Sequence, residues 1–442
     1  MERLIEQRLA DWLANSRRPL LVLGARQVGK TYSVRQFGAE YFTNVVYANF
    51  QTDLARLASV FNGTINPSTI VDELGLLFEQ PVTPEKTLIV FDEVQLCQPA
   101  LTSLKYFAED APQYRIIATG SQFGVTVHRE PQYSFPVGKV DITTMYPMTF
   151  EEFCWAVGHP TWPDAIRASL KADRPLLIHD DVMRTFRSYL MTGGMPSAVQ
   201  LFVDTSDWSR VREEQANLVA LYSADASIYL PDAEAARTQA IWRSAPQQLA
   251  RVNRKFKLSD VAKGARAARY EPGFAWLEAA GLIHRHRLVE TPAAPLVYRQ
   301  DGTFFKAYLL DVGLLSQAMG IRPNVYLNSD ARRTISSGFR GGLIENAVKQ
   351  ALVAQRIESG YWTSGNTAEV DFLALDDQLH VIPIEAKSGD NVQSKSLAEY
   401  VKRYEPAQAI RVADKQFGRD GLMRSVPLYA AFCLADALTH MA

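Results

Sequence analysis

The sequence predicts an α/β fold built round a parallel sheet, and two stretches carry that expectation. Leu20 to Leu23 is a short apolar run that ends in Gly24, with Gly29, Lys30 and Thr31 following after four residues. Thr87 to Glu93, TLIVFDE, is a second apolar run ending in two carboxylates. Such unbroken apolar runs suit strands buried on both faces. Ligands of open α/β sheets gather at the C-terminal strand ends, where both polar clusters fall.

The first stretch has the spacing of a phosphate-binding loop between a strand and a helix. Gly24 and Gly29 let the backbone curl round an anion, with Ala25, Arg26, Gln27 and Val28 forming the loop between them. The N–H groups at the following helix start, through Tyr32, would point at the same anion. Lys30 would reach the β- and γ-phosphates of ATP, and the Thr31 hydroxyl would hold Mg²⁺. In the second stretch, Asp92 would complete the Mg²⁺ shell and Glu93 would orient or deprotonate the attacking water.

Length and composition bound the rest. At 442 residues, two to four domains are expected, each able to bury a core. A formal net charge of −1 argues neither for nucleic acid nor for a membrane surface. Cys97, Cys154 and Cys433 are an odd, scattered set with no CxxC pair, which fits a reducing cytoplasm. No apolar run reaches membrane-span length, and the N-terminal MERLIEQRLADWL reads as an amphipathic helix rather than a secretory signal. Internal repeats and low-complexity tracts are absent from the sequence.

Residues 1–150 read as the nucleotide domain. Its helix should run from Thr31 to Phe37 with Gly38 as a stop, followed by a strand over Val45 to Phe50 and a helix over 68–80 broken by Pro81 and Pro84. A third strand, Arg115 to Ala118, ends in Thr119-Gly120-Ser121, which is either a γ-phosphate sensor or a turn of small residues.

Together GARQVGKT, LIVFDE, ATGS and YPMTFEEF resemble the prokaryotic AAA-family ATPases that carry a C-terminal domain of unknown function. The resemblance implies a P-loop NTPase sheet, with Lys30 and Thr31 on phosphates and Mg²⁺, Asp92 on Mg²⁺ and Glu93 in hydrolysis. Two departures stand out. Many AAA proteins have Asn where this chain has Thr119 and Ser121, and no arginine has an unmistakable finger context, Arg115 and Arg129 being the candidates. A homo-oligomer whose neighbour completes the site therefore stays open.

Residues 151–235 read as helices, with breaks at Pro160, Pro163 and Pro175. MRTFRSYLMTGGMPSAV resembles the family's helical lid, in which Arg184 and Arg187 either reach the nucleotide or are solvated charges. Residues 236–300 read as one domain, and from Arg237 to Arg287 it carries a basic bias that includes Arg251, Arg254, Lys255, Lys257, Lys263, Arg266, Arg269, Arg285 and Arg287. A helix capped by Ser259, another ending at Gly281 and a β-wing give the order of a winged helix. The basic bias leaves DNA contact and domain packing as alternative uses. His284 and His286 lack companions at ligand spacing and read as wing residues.

Residues 301–442 read as an α/β domain. FFKAYLLDVGLL resembles the start of the family's C-terminal domain. A helix carrying Glu345, a strand carrying Asp371 and the run Ile384-Glu385-Ala386-Lys387 follow the order of restriction-endonuclease-like PD-(D/E)XK folds. In that arrangement Asp371 and Glu385 bind Mg²⁺ beside a scissile phosphate, Glu345 supports the metal shell, and Lys387 stabilises charge or activates water. The same residues could instead form a buried ion-pair network in a domain that does not cut. Pro383 removes a strand N–H and points to an edge strand or a late start.

The expectation is a Mg²⁺-dependent ATPase with a helical lid, winged helix and nuclease-like C-terminal domain. Its cycle would control DNA binding or cleavage. The alternative is an ATP-dependent regulatory or scaffold protein whose inactive nuclease fold binds a protein partner.

Overall fold

The computed structural model describes residues 1–61, 63–121, 136–299, 304–365, 368–389 and 395–439. They fall into two compact units, residues 1–146 with 279–281, and residues 147–278 with 282–442.

In the first unit, helix α1 (Leu4–Asn15) precedes strand β1 (Leu20–Leu23) and helix α2 (Lys30–Tyr41). Strands β2 (Asn44–Asn49), β3 (Thr87–Asp92), β4 (Arg115–Gly120) and β5 (Asp141–Thr144) complete a sheet of order β2-β3-β4-β1-β5. Every pairing is parallel. This is an open, all-parallel α/β sheet. Strands β1, β3 and β4 are buried along their whole length, as apolar runs with little alternation require. Leu21, Val46, Ile89, Phe91 and Ile116 share a core with helix α3 (Pro67–Leu77) and helix α4 (Gln98–Asp110).

Helix α2 does not stop at Gly38 but continues to Tyr41. A Cβ at Gly38 would lie 2.9 Å from Val45 Cγ2 and 3.1 Å from Leu88 Cδ2. The glycine is there to let the helix lie close on the sheet, not to end it.

The second unit begins with a capping box, in which the Thr149 hydroxyl accepts from the Glu152 N–H and Glu152 Oε2 accepts from the Thr149 N–H. Helices α5 (Phe150–Ala156), α6 (Trp162–Ala172), α7 (His179–Thr192), α8 (Pro196–Thr205), α9 (Trp208–Tyr229) and α10 (Asp232–Leu249) follow. The helix expected from Ser259 is only a 3₁₀ turn, Leu258–Asp260, and Ser259 does not cap it. Gly264, at φ +73°, interrupts the chain before helix α11 (Ala267–Ala279).

Strand β6 (Ile283–Arg287) pairs antiparallel with β9 (Phe305–Leu309), while β7 (Val289–Thr291) pairs with β8 (Val297–Tyr298). Asp311 caps α12 (Val312–Ala318) and also accepts the Gly194 N–H at 2.6 Å. Helix α13 (Ser337–Ala354) lies beside a six-stranded mixed sheet of order β10-β11-β12-β13-β15-β14. Its strands are β10 (Gly360–Thr363), β11 (Glu369–Leu375), β12 (Val381–Ala386), β13 (Ala409–Ala413), β14 (Gly418–Asp420) and β15 (Met423–Pro427).

Strand β12 is interior, so of the two expectations from Pro383 the edge is excluded and the late start is found. Pro383 faces Leu373 of β11, whereas pairing with β13 begins only at Ile384. The proline thus sits where the second ladder has not yet started and costs no bond there. Among the described residues no helix is long and apolar enough to cross a membrane.

Candidate nucleotide site and a buried charge cluster

The loop between β1 and α2 wraps closely. A Cβ on Gly24 would fall 2.3 Å from the Met145 carbonyl oxygen, so only glycine fits. Gly29 takes a left-handed conformation, and no described side chain caps α2. Its first N–H groups are thereby left for an anion. Lys30 is 6% exposed, and its ammonium donates to the carbonyls of Gly24 (3.0 Å) and Ala25 (2.9 Å). Burial lowers its proton affinity against the opposing pull of Glu93 and Asp92. Ala25 and Val28 are buried, whereas Gln27 is exposed and Tyr32 is 60% exposed.

Parallel pairing places Asn49 level with Asp92 and Val22 level with Thr119, so polar residues from three strands meet at one end of the sheet. Asp92 accepts from the Thr31 hydroxyl at 3.0 Å, the Tyr47 hydroxyl, Asn49 Nδ2 at 3.2 Å and the Thr119 hydroxyl. Tyr47 is pushed up to about 12 by burial and by Asp92, so it stays a donor at neutral pH. Thr31 and Asp92 form a hard-oxygen pair of the kind Mg²⁺ takes, and their contact shows that both reach one point. Glu93 follows in a left-handed conformation, φ +54°, with its carboxylate accepting from Gln95 Nε2.

Sequence reasoning missed Tyr47, Asn49 and Gln95. Tyr47 and Asn49 alternate on a strand that ends level with Asp92, which was the available signal. Of the finger candidates, Arg115 donates to the Ser16 carbonyl and to the Leu13 carbonyl at 3.3 Å, which ties it to the N-terminal segment. Arg129 lies outside the described residues. In the second unit Arg184 pairs with Asp181 and Arg187 with Asp414.

The expected nuclease residues converge in part. Glu345 and Asp371 are buried and face one ammonium, that of Lys306 on β9, at 3.1 and 3.8 Å; Glu369 lies 2.8 Å from it. Glu345 also accepts from Arg254 Nη1 and the Tyr308 hydroxyl, each at 2.7 Å. Although burial opposes its charge, Lys306 and Arg254 hold Glu345 down at about 2. Burial likewise disfavours the Lys306 ammonium, but Glu345, Tyr308, Glu369 and Asp371 outweigh it and raise its proton affinity. Burial, Glu345 and Glu385 push Asp371 upward, and its Oδ2 accepts the Ala386 N–H at 3.0 Å.

Glu385 pairs with Lys387 just beyond the strand. These oxygens face the Arg254 guanidinium and the Lys306 and Lys387 ammonium groups, and among the described residues no group of three His, Cys, Asp or Glu forms a metal cage. His286 on β6 is fully buried, with Nε2 2.8 Å from the Asp371 carbonyl oxygen. Lys306, a single cation inside FFKAYLL, was the overlooked clue. Of the basic run, Arg251 pairs with Asp260 and Arg285 with Glu271 and Glu278, while Lys257, Lys263, Arg266 and Arg269 remain exposed.

Residues 16–154 match the family model of an AAA domain. They form an AAA-type P-loop ATPase domain. Two domains of unknown function, DUF8612 and DUF4143, match residues 183–325 and 340–429. No curated protein matches the sequence. Among solved structures, a Walker-type ATPase of Pyrococcus abyssi is 15% identical over 72% of this chain and 95% of that one, with a TM-score of 0.41. The Aeropyrum pernix ORC2 protein is 12% identical over 75% and 96%, with a TM-score of 0.35. The ORC1 protein of the same organism, in complex with DNA, is 13% identical over 72% and 91%, with a TM-score of 0.29.

Proposed function

We propose that the chain binds ATP with Mg²⁺ at residues 24–32 and hydrolyses it, and that the cycle switches the C-terminal half. One observation carries the reading: Thr31 and Asp92 meet at the tip of β3, with Glu93 next in the chain and Lys30 in the loop beside them. Mg²⁺ would be held by Thr31 and Asp92 and would neutralise phosphate charge. Lys30 would bind the β- and γ-phosphates, and Glu93 would orient the water and take its proton. Phosphate release from ATP tests this. Lys30→Ala should bind no ATP, whereas Glu93→Gln should bind it and turn over slowly.

In the same proposal residues 151–235 serve as a helical lid, 236–300 as a winged helix and 301–442 as a PD-(D/E)XK nuclease-like domain. The first reading of that half is ATP-controlled DNA binding or cleavage. The exposed Lys257, Lys263, Arg266 and Arg269 support DNA contact. A second reading, a non-cleaving domain that binds a protein partner, is favoured by the Lys306 and Arg254 cations already on Glu345. Cleavage of mixed single- and double-stranded DNA with Mg²⁺ or Mn²⁺, with and without ATP, separates them. Activity lost in Asp371→Ala and Lys387→Ala supports the first; an intact ATPase that never cuts supports the second.

A further inference from the structure

The geometry points to Gln95 as the residue that positions the Glu93 carboxylate to take the proton of the attacking water, a role that rests on Glu93 being the base. Glu93 leaves β3 in a left-handed conformation (φ +54°, ψ 43°), which no side chain at that position adopts without cost. Such strain persists only where the surroundings hold it. Here a 3₁₀ turn, Val94–Leu96, follows at once and brings Gln95 back beneath Glu93. Gln95 Nε2 donates to Glu93 Oε2 at 2.5 Å, and the Gln95 side chain is 5% exposed.

The turn is itself pinned. The Leu96 N–H donates to the Glu93 carbonyl at 3.0 Å, and Gln98 Nε2 donates to the Gln95 carbonyl at 3.3 Å. Among the described residues no hydrogen-bond donor meets the buried Gln95 Oε1. The amide is thus committed through its Nε2 to the Glu93 carboxylate.

The consequence is chemical. A carboxylate has two oxygens and rotates freely unless one is tied. With Oε2 bound to the Gln95 amide, Oε1 is the oxygen left to accept a proton from water. No covalent step changes: the water proton passes to Glu93, and the hydroxide oxygen bonds to the γ-phosphorus as the bond to ADP breaks. Gln95 touches neither water nor phosphate in this scheme, so it is a positioning residue. Its contribution is to orientation, where small misplacements of a base carry large rate penalties.

The test is a double-mutant cycle on the full chain, with ATP affinity, kcat and KM measured for wild type, Glu93→Gln, Gln95→Leu and the pair. We expect Gln95→Leu to bind ATP as wild type and keep its KM while kcat falls by about tenfold to a hundredfold. In the Glu93→Gln background the second substitution should change kcat no further, because its route to the reaction has gone. Gln95→Leu with unchanged kcat overturns the role, and so does a loss that simply multiplies with that of Glu93→Gln. A Gln95→Leu protein that also loses ATP affinity or melts early marks Gln95 as structural, again overturning it. Full turnover by Glu93→Gln overturns the base assignment instead, and Gln95's role with it.

Discussion

Lys306 and Glu345 form an ion pair sealed from solvent, ammonium to carboxylate 3.1 Å, with side chains 0% and 4% exposed. Removing one member of such a pair strands the other, which costs more than the pair itself contributes. Lys306→Met should therefore destabilise the second unit by about 3–5 kcal/mol. The double variant Lys306→Met, Glu345→Gln should recover part of that loss. Urea unfolding followed by circular dichroism reads both, and a cost below about 1 kcal/mol would contradict the pairing.

Asp311 gives a pH dependence. Burial pushes its carboxyl up from 3.8 to about 6. The native state then holds a proton that the unfolded chain has released between those values. Stability from this residue is present below the unfolded value and is lost as pH rises through about 6, by roughly 3 kcal/mol in total. Asp311→Asn should flatten the fall between pH 4 and pH 7. Unfolding measured at several pH values, taken as the difference from wild type, checks the sign.

Tyr47 supplies one of the donors on Asp92. Tyr47→Phe removes only the hydroxyl and leaves the ring in place. The Mg²⁺ concentration for half-maximal ATPase rate should rise about tenfold, as for other losses of support behind a metal ligand. An unchanged Mg²⁺ curve would show that Thr31, Asn49 and Thr119 orient Asp92 without it.

Gly38→Ala sets two effects against each other. Alanine favours the helix by about 1 kcal/mol, but its Cβ must push Val45 and Leu88 from contacts of 2.9 and 3.1 Å. Overpacking of that kind costs about 1–3 kcal/mol, so a small net loss is expected. Thermal melting should shift downward, and an upward shift would mean that the sheet gives way cheaply.

The phosphate loop and the strand ending in Asp92-Glu93 were legible because each is local: a fixed spacing of residues makes the turn and the apolar run makes the strand. Relationships between distant residues were not. Gly38 reads as a stop until the sheet beneath it is known, and Pro383 reads equally as an edge or a late start until β13 is seen to begin pairing one residue later. Ser259 has the right chemistry for a cap, yet Gly264 leaves the turn too short to become a helix. The carboxylates near Asp371 were found by their order along the chain. Their cation was not, because Lys306 arrives from a strand 39 residues before Glu345.

That separation limits how the second unit can be cut or inherited. A fragment beginning after Leu309 would retain Glu345, Glu369 and Asp371 but neither Lys306 nor Arg254. Its acidic cluster would have to take up protons or a cation from solution to fold. Transplanting the six-stranded sheet to another protein therefore requires carrying β9 and the Arg254 segment with it as a single heritable piece.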